Sequence, residues 1–165
     1  MKKSIIFAVA LAMSFSTLKA QSTVKPIGKS NITLTSDKMT PEALWAMGRI
    51  AGAQASPDGK HIVYQVGYYS VKENKGHQVI CVMDSDGKNI KQLTTSSKSE
   101  SDPVWINGGK KIAFLSDGQI FTMNIDGSDR KKLTNDKTDI DGFKFSPDEK
   151  KVILIKQIPF HESIQ

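Results

Sequence analysis

From Ala53 onward the chain repeats itself, and the repeat limits the fold more than any other feature of the sequence. One copy reads Gln54-Ala55-Ser56-Pro57-Asp58-Gly59-Lys60-His61-Ile62-Val63-Tyr64. A second reads Pro103-Val104-Trp105-Ile106-Asn107-Gly108-Gly109-Lys110-Lys111-Ile112-Ala113-Phe114. A third reads Phe143-Lys144-Phe145-Ser146-Pro147-Asp148-Glu149-Lys150-Lys151-Val152-Ile153-Leu154. Lys60, Lys110 and Lys150 mark equivalent points, 50 and 40 residues apart. Met83 to Thr94 matches Met123 to Thr134 at a spacing of 40. The ten extra residues of the first unit are placed in a loop, Gly67 to Gly76.

A period near forty holding four short strands is the mark of a β-propeller blade. Each unit parses physically. Ser-Pro-Asp-Gly-Lys is a tight turn, because Pro presets φ, Asp bonds backbone amides and Gly accepts positive φ. An innermost strand precedes it (Pro103 to Trp105, Phe143 to Phe145), and an apolar strand follows (Lys111 to Leu115). A third strand covers Gln119 to Asn124. Asp126-Gly127 turns the chain, and a fourth strand passes through Arg130 to Thr134. Ala55, Trp105 and Phe145 match on the innermost strands and are expected to face a neighbouring blade. The predicted fold is all-β: blade 1 at about 53–95, blade 2 at about 102–135 and a half blade at 141–158, together an incomplete propeller over 53–165. Two and a half units are fewer than the four to eight blades of closed propellers. The chain therefore reads as the amino-terminal fragment of a longer protein.

Ahead of the repeats, Met1-Lys2-Lys3 and the apolar run Ser4 to Leu18 have the shape of a secretory signal peptide, with cleavage expected after Ala20. The run is too short to span a bilayer, and no Cys follows it to carry a lipid. Secreted or periplasmic placement and no stable membrane anchor after cleavage are the expectations. Removing residues 1–20 takes away Lys2, Lys3 and Lys19 and lowers the net charge from +6 to +3. No dense basic stripe remains, so nucleic acid is not an expected partner. Residues 21–39 read as a flexible tail and 40–52 as a capping helix. Thr40 is its N-cap, Pro41 its first residue, and Glu42 suits the dipole. Leu44, Met47 and Ile50 form an apolar face beside Trp45, which is read as core, with a ligand-binding role as the alternative.

The motifs that carry chemistry are absent. There is no Gly-x-Ser-x-Gly elbow, His-x-x-x-His pair, phosphate loop or dinucleotide fingerprint. His61, His77 and His161 have no partner by spacing and read as strand or surface residues; His77 is placed at the end of the inserted loop. The single cysteine, Cys81, lies on a strand and reads as a buried thiol. Asp84-x-Asp86-Gly87 and Asn124-x-Asp126-Gly127 look like calcium-loop pieces. Counting from the Gly at position six puts Val82 and Leu93, or Thr122 and Leu133, at positions one and twelve, so hairpin turns are the better reading. No catalytic, cofactor-binding or metal-binding residue is assigned, and no cofactor is expected.

The run Thr40 to Trp45, then Arg49-Ile50 and Ser56 to Lys60, resembles the opening of secreted bacterial peptidases of the prolyl oligopeptidase family. The similarity is closest to the branch containing dipeptidyl peptidase V and acylaminoacyl-peptidase-like enzymes. It continues through Trp105, Gly109 to Phe114, Met123-Asn124-x-Asp126-Gly127 and Phe145 to Lys150. The repeats alone are shared with TolB-like and WD40-like propellers. The resemblance implies a propeller that admits short peptides to a carboxy-terminal α/β-hydrolase domain bearing a Ser-Asp-His triad. That hydrolase domain is the partner this chain lacks, so the fragment is expected to be inactive by itself. The alternative reading is a TolB-like periplasmic scaffold that binds proteins.

Overall fold

The computed structural model describes residues 27–33 and 37–157. The leader assigned to 1–20, residues 21–26 and 34–36 of the tail assigned to 21–39, and His161 lie outside them. A helix α1 (Pro41–Ala46) leads into ten strands. The first sheet has the order β1 (Arg49–Ala55), β2 (His61–Ser70), β3 (Lys75–Asp84), β4 (Lys91–Gln92). The second repeats it with β5 (Glu100–Ile106), β6 (Lys111–Ser116), β7 (Gln119–Asn124), β8 (Lys131–Lys132). The third is a hairpin of β9 (Gly142–Phe145) and β10 (Val152–Ile155). All neighbouring strands are antiparallel. These are two four-stranded propeller blades followed by the inner half of a third.

The turn residues act as their chemistry dictates. The Ser56 hydroxyl donates to Asp58 Oδ1 (2.6 Å) and accepts the His61 amide (3.0 Å), while Asp58 Oδ1 also accepts the Lys60 amide (3.1 Å). Ser146 and Asp148 repeat the bonds to one another and to the amides of Lys151 and Lys150. The short outer strands are completed by side chains. Thr94 Oγ1 accepts from the Ile80 amide (2.9 Å), and Thr134 Oγ1 accepts from the Ile120 amide (3.0 Å). These bonds extend a ladder that two-residue strands alone would leave short.

Successive sheets pack face to face. Val63, Ile80, Ile112, Phe114 and Met123 fill the first junction, with Trp105, Phe121 and Leu93 against them. Ala113, Leu115, Ile120 and Ile140 fill the second, with Phe143, Phe145 and Leu154. Of the three matching inner-strand residues, Trp105 and Phe145 are half-buried at these junctions, whereas Ala55 is exposed.

Three expectations need correction. The capping helix does not run to residue 52. It ends at Ala46, Met47 is extended, and Arg49 already belongs to β1, so the first sheet begins before Ala53. Gly48 marks the change: a Cβ there would meet Val66 Cγ1 at 2.9 Å and Tyr68 Cε1 at 3.0 Å, so only glycine lets the chain pass so close to β2. Residues 67–76 are not a loop. They lengthen β2 and β3 to ten residues each, paired from Gly67↔Gln78 to Ser70↔Lys75, leaving four residues for the turn. The apolar face of α1 is also not core: Leu44, Trp45, Met47 and Ile50 are exposed, and Ala43 is the buried helical residue.

Candidate functional site

The titratable residues singled out in the sequence are held apart. His61 opens β2 beside Asp84, with Nδ1 4.0 Å from Asp84 Oδ1. His77 pairs with Tyr68 near the opposite end of the same hairpin. Seven strand positions separate the two, roughly 23 Å at ~3.3 Å per residue. His77 is 5% exposed and its Nε2 has no hydrogen-bond partner, so it is a buried strand residue rather than the end of a loop. Cys81 is buried on β3, and burial pushes its thiol pKa up, which disfavours the nucleophilic thiolate. The hydroxyls of Ser56 and Ser146 are committed to turns. Among the described residues, no nucleophile, base and orienting acid converge.

The acidic turns are likewise occupied by backbone. Asp86 Oδ1 accepts the Lys88 amide (3.0 Å), and Asp126 Oδ1 accepts the Ser128 amide (2.9 Å) and hydroxyl (2.6 Å). These bonds hold both carboxyls below their ordinary pKa. Their oxygens point back into hairpin turns, which is the turn reading. Among the described residues, no group of three His, Cys, Asp or Glu is placed to hold a metal ion.

What the chain does build is two clefts of binding size. The larger, about 620 Å³, lies between α1, the segment around Ile27 to Ile32, and the tip of the β2–β3 hairpin. Trp45 and Tyr69 meet across it with ring centroids 4.8 Å apart, and the Arg49 guanidinium sits 4.7 Å from the Trp45 centroid. Glu42, Lys72 and Glu73 add charge at its rim. Neither element matches the first expectation from the sequence. Trp45 was counted as core, although a helix of six residues can bury only one narrow stripe. Tyr69 was counted as loop. The signal that would have found the cleft is the pairing of an exposed Trp with Tyr68-Tyr69 inside a single inserted segment.

The second cleft, about 470 Å³, opens between the inner strands of blades 2 and 3. Gln54, Trp105, Phe143, Phe145 and Glu149 line it. Here the Trp105 indole N–H donates to the Gln54 carbonyl (3.0 Å), tying the inner strand of blade 2 to that of blade 1. Both clefts are apolar surfaces edged by charge. They can hold an extended or apolar ligand, but they present no group placed to cleave one.

No family model matches the chain. The dipeptidyl-peptidase 5 of Porphyromonas gingivalis is 40% identical over 132 residues, which is 78% of this chain and 19% of that protein. The TolB protein of Thioalkalivibrio sulfidiphilus is 30% identical over 77 residues, 43% of this chain and 18% of that protein. Among solved structures, the acylaminoacyl peptidase of Pyrococcus horikoshii superposes with a TM-score of 0.56 at 17% identity, over 68% of this chain and 18% of that one. The chain thus spans about a fifth of the length of the curated peptidases it matches. The helix-led start, the two four-stranded blades and these likenesses agree: the chain is a β-propeller segment of the prolyl oligopeptidase family of peptidases.

Proposed function

We propose that this segment is the substrate-screening propeller of a secreted or periplasmic serine peptidase that cleaves short peptides. The catalytic α/β-hydrolase domain lies in sequence outside these residues, and the segment alone is inactive. The observation that carries the reading is the 40% identity with dipeptidyl-peptidase 5 over 132 residues, 78% of this chain and so more than a single blade. The chemistry agrees. Amide hydrolysis needs an activated nucleophile and preorganised donors for the oxyanion, which together lower the barrier by many kcal/mol, and the described residues assemble neither. A propeller before the hydrolase would limit access to ligands thin enough to pass between domains.

The test is labelling with a fluorophosphonate probe, which reacts with activated serines. The chain alone should stay unlabelled and inert on dipeptidyl and acyl-aminoacyl chromogenic substrates. The polypeptide encoded by the whole gene should label on a serine beyond residue 165. Stoichiometric labelling of any serine within the chain overturns the reading. The match with TolB favours a second reading, a propeller scaffold that binds other proteins. It predicts further blades and no Gly-x-Ser-x-Gly in the whole gene.

A further inference from the structure

We propose that Asn107 is a site of spontaneous deamidation in the folded chain, and that the product loosens the contact between blades 2 and 3. The reasoning starts from the repeat. Where blades 1 and 3 turn through Ser56-Pro57-Asp58 and Ser146-Pro147-Asp148, blade 2 has Ile106-Asn107-Gly108. The substitution removes the Ser–Asp bond that locks the other two turns and leaves an Asn-Gly pair in its place. Of the six asparagines in the chain, Asn107 is the one followed by glycine; Asn31, Asn89 and Asn124 precede isoleucine.

The local geometry favours the reaction. Asn107 is exposed, and its side-chain amide has no hydrogen-bond partner among the described residues; its backbone N–H donates to the Glu149 carboxylate, and its carbonyl accepts from the Lys110 amide. Gly108 has space on its open side, since a Cβ there would meet nothing within 4 Å. Gly108 has a positive φ that glycine adopts at no steric cost, while Gly109, also at positive φ, lies against Pro57. The Asp-Gly turns of the same chain differ. Asp58, Asp86 and Asp126 each hold their carboxylate on the amide two residues ahead, away from the following nitrogen.

The chemistry balances with solvent water as the co-reactant. The Gly108 nitrogen attacks Asn107 Cγ and forms a C–N bond. The Cγ–Nδ2 bond breaks, and the nitrogen leaves as ammonia with the proton given up by Gly108. Water then opens the resulting succinimide at either carbonyl, giving aspartate or isoaspartate. The consequence is set by Glu149. Its two carboxylate oxygens accept the Asn107 amide at 2.9 and 2.7 Å, a bond across blades that replaces the lost internal lock. Glu149 makes it from a φ of +56°, where blade 1 has Gly59. Aspartate at 107 sets a second carboxylate beside Glu149, and isoaspartate adds a methylene to the backbone that carries the donor.

The whole chain would be incubated at mildly alkaline pH and peptide-mapped by mass spectrometry, with isoaspartate detected by enzymatic methylation. Asn107 should convert at least about tenfold faster than Asn74 or Asn135, a barrier difference of about 1.4 kcal/mol. Conversion of Asn107 no faster than these two overturns the site. Asn107→Gln, which cannot close the five-membered ring, should keep the thermal midpoint and abolish the mass shift. Asn107→Asp should lower the thermal midpoint at low salt, and either high salt or Glu149→Gln should recover part of the loss. An Asn107→Asp midpoint equal to that of the parent at low salt overturns the proposed consequence.

Discussion

The junction between blades 1 and 2 and the junction between blades 2 and 3 occupy equivalent places in the repeat, and they are closed by different charges. In the first, Glu100 is 0% exposed and pairs with Arg130. Ser96 donates to Glu100 Oε1 (2.8 Å), and Arg130 Nη2 donates to Ser116 Oγ (3.1 Å). The guanidinium lies 5.0 Å from the Phe114 centroid and 4.8 Å from that of Phe121. Forty residues on, Ser96 becomes Asp136, Ser116 becomes Lys156 and Glu100 becomes Ile140. There Asp136 and Lys156 form the ion pair, and Ile140 fills the buried spot. At both junctions this corner of the repeat carries a charge pair, drawn from different positions in each. The first pair has a fully buried carboxylate and a guanidinium stacked on aromatics; the second is half-buried on both sides. A buried pair costs desolvation and punishes the loss of one partner, whereas an exposed pair contributes little.

The largest effect should come from the first junction. Phe114→Ala removes a fully buried ring between the blades and should cost about 3–5 kcal/mol in chemical denaturation. Leu154→Ala, the equivalent position of β10, is half-buried and should cost clearly less. Equal losses would mean that the two sheets share one core and that the junctions do not differ. Next comes Arg130→Ala. It strands the Glu100 carboxylate, whose Oε2 already lacks a partner, and should cost about 3 kcal/mol, the low end for a broken buried pair because the guanidinium is partly in solvent. Glu100→Gln in that background should restore part of the loss. No restoration would show that Arg130 acts through its stacking on Phe114 and Phe121.

These junctions mark where the sequence was readable and where it was not. The repeated hairpin order follows from turn chemistry that is complete within five residues, as Ser56, Asp58 and Gly59 illustrate, whereas the start of the first sheet and the extent of β2 and β3 do not. The Glu100–Arg130 pair spans thirty residues, and nothing local points one side chain at the other. His77 looked like a loop residue because the inserted segment carries Gly67 and Gly76, which usually mark turns. Here both glycines sit in paired strand, and the hairpin grows outward instead. The helix was drawn too long because its apolar spacing continues through Ile50, while the close passage of Gly48 over β2 is a tertiary demand. Trp45 was misjudged for the same reason: spacing tells that a face is apolar, not what covers it.

A smaller effect tests the second junction by pH. Hydrogen bonds from Lys156 and Thr138 lower the Asp136 pKa to about 2, and those from Lys131 and Lys111 do the same for Asp129. Both carboxyls lie well below their ordinary value of 3.8 in the folded chain. Their stabilising contribution is therefore complete above pH 3.8 and is lost as pH falls toward 2. Asp129 is exposed and Asp136 is only half-buried, so the fall in thermal midpoint over this window should be modest and should shrink in high salt. Lys156→Met should remove the part due to Asp136 and leave that of Asp129. An unchanged acid profile in this variant would mean that the Asp136–Lys156 pair contributes nothing to the second junction.

The smallest expected effect separates sequence pattern from burial most cleanly. Ala113 and Leu115 of β6 are 0% and 7% exposed because blade 3 covers them. Ile153 and Ile155 hold the same positions of β10, and they are 69% and 62% exposed. The local sequences are equally apolar, so the difference lies in the neighbouring sheet. Replacing both isoleucines with lysine should change the stability of the chain by no more than about 0.5 kcal/mol, as for ordinary surface positions. The same change should raise solubility, because among the described residues β10 pairs on one side only, with β9, and bears Val152-Ile153-Leu154-Ile155, a sequence prone to pairing with other chains. The measurement is a pair: the denaturation midpoint, and the concentration at which sedimentation first detects association. A loss of several kcal/mol would mean that Ile153 and Ile155 are buried in solution, and that the outer face of blade 3 is already covered.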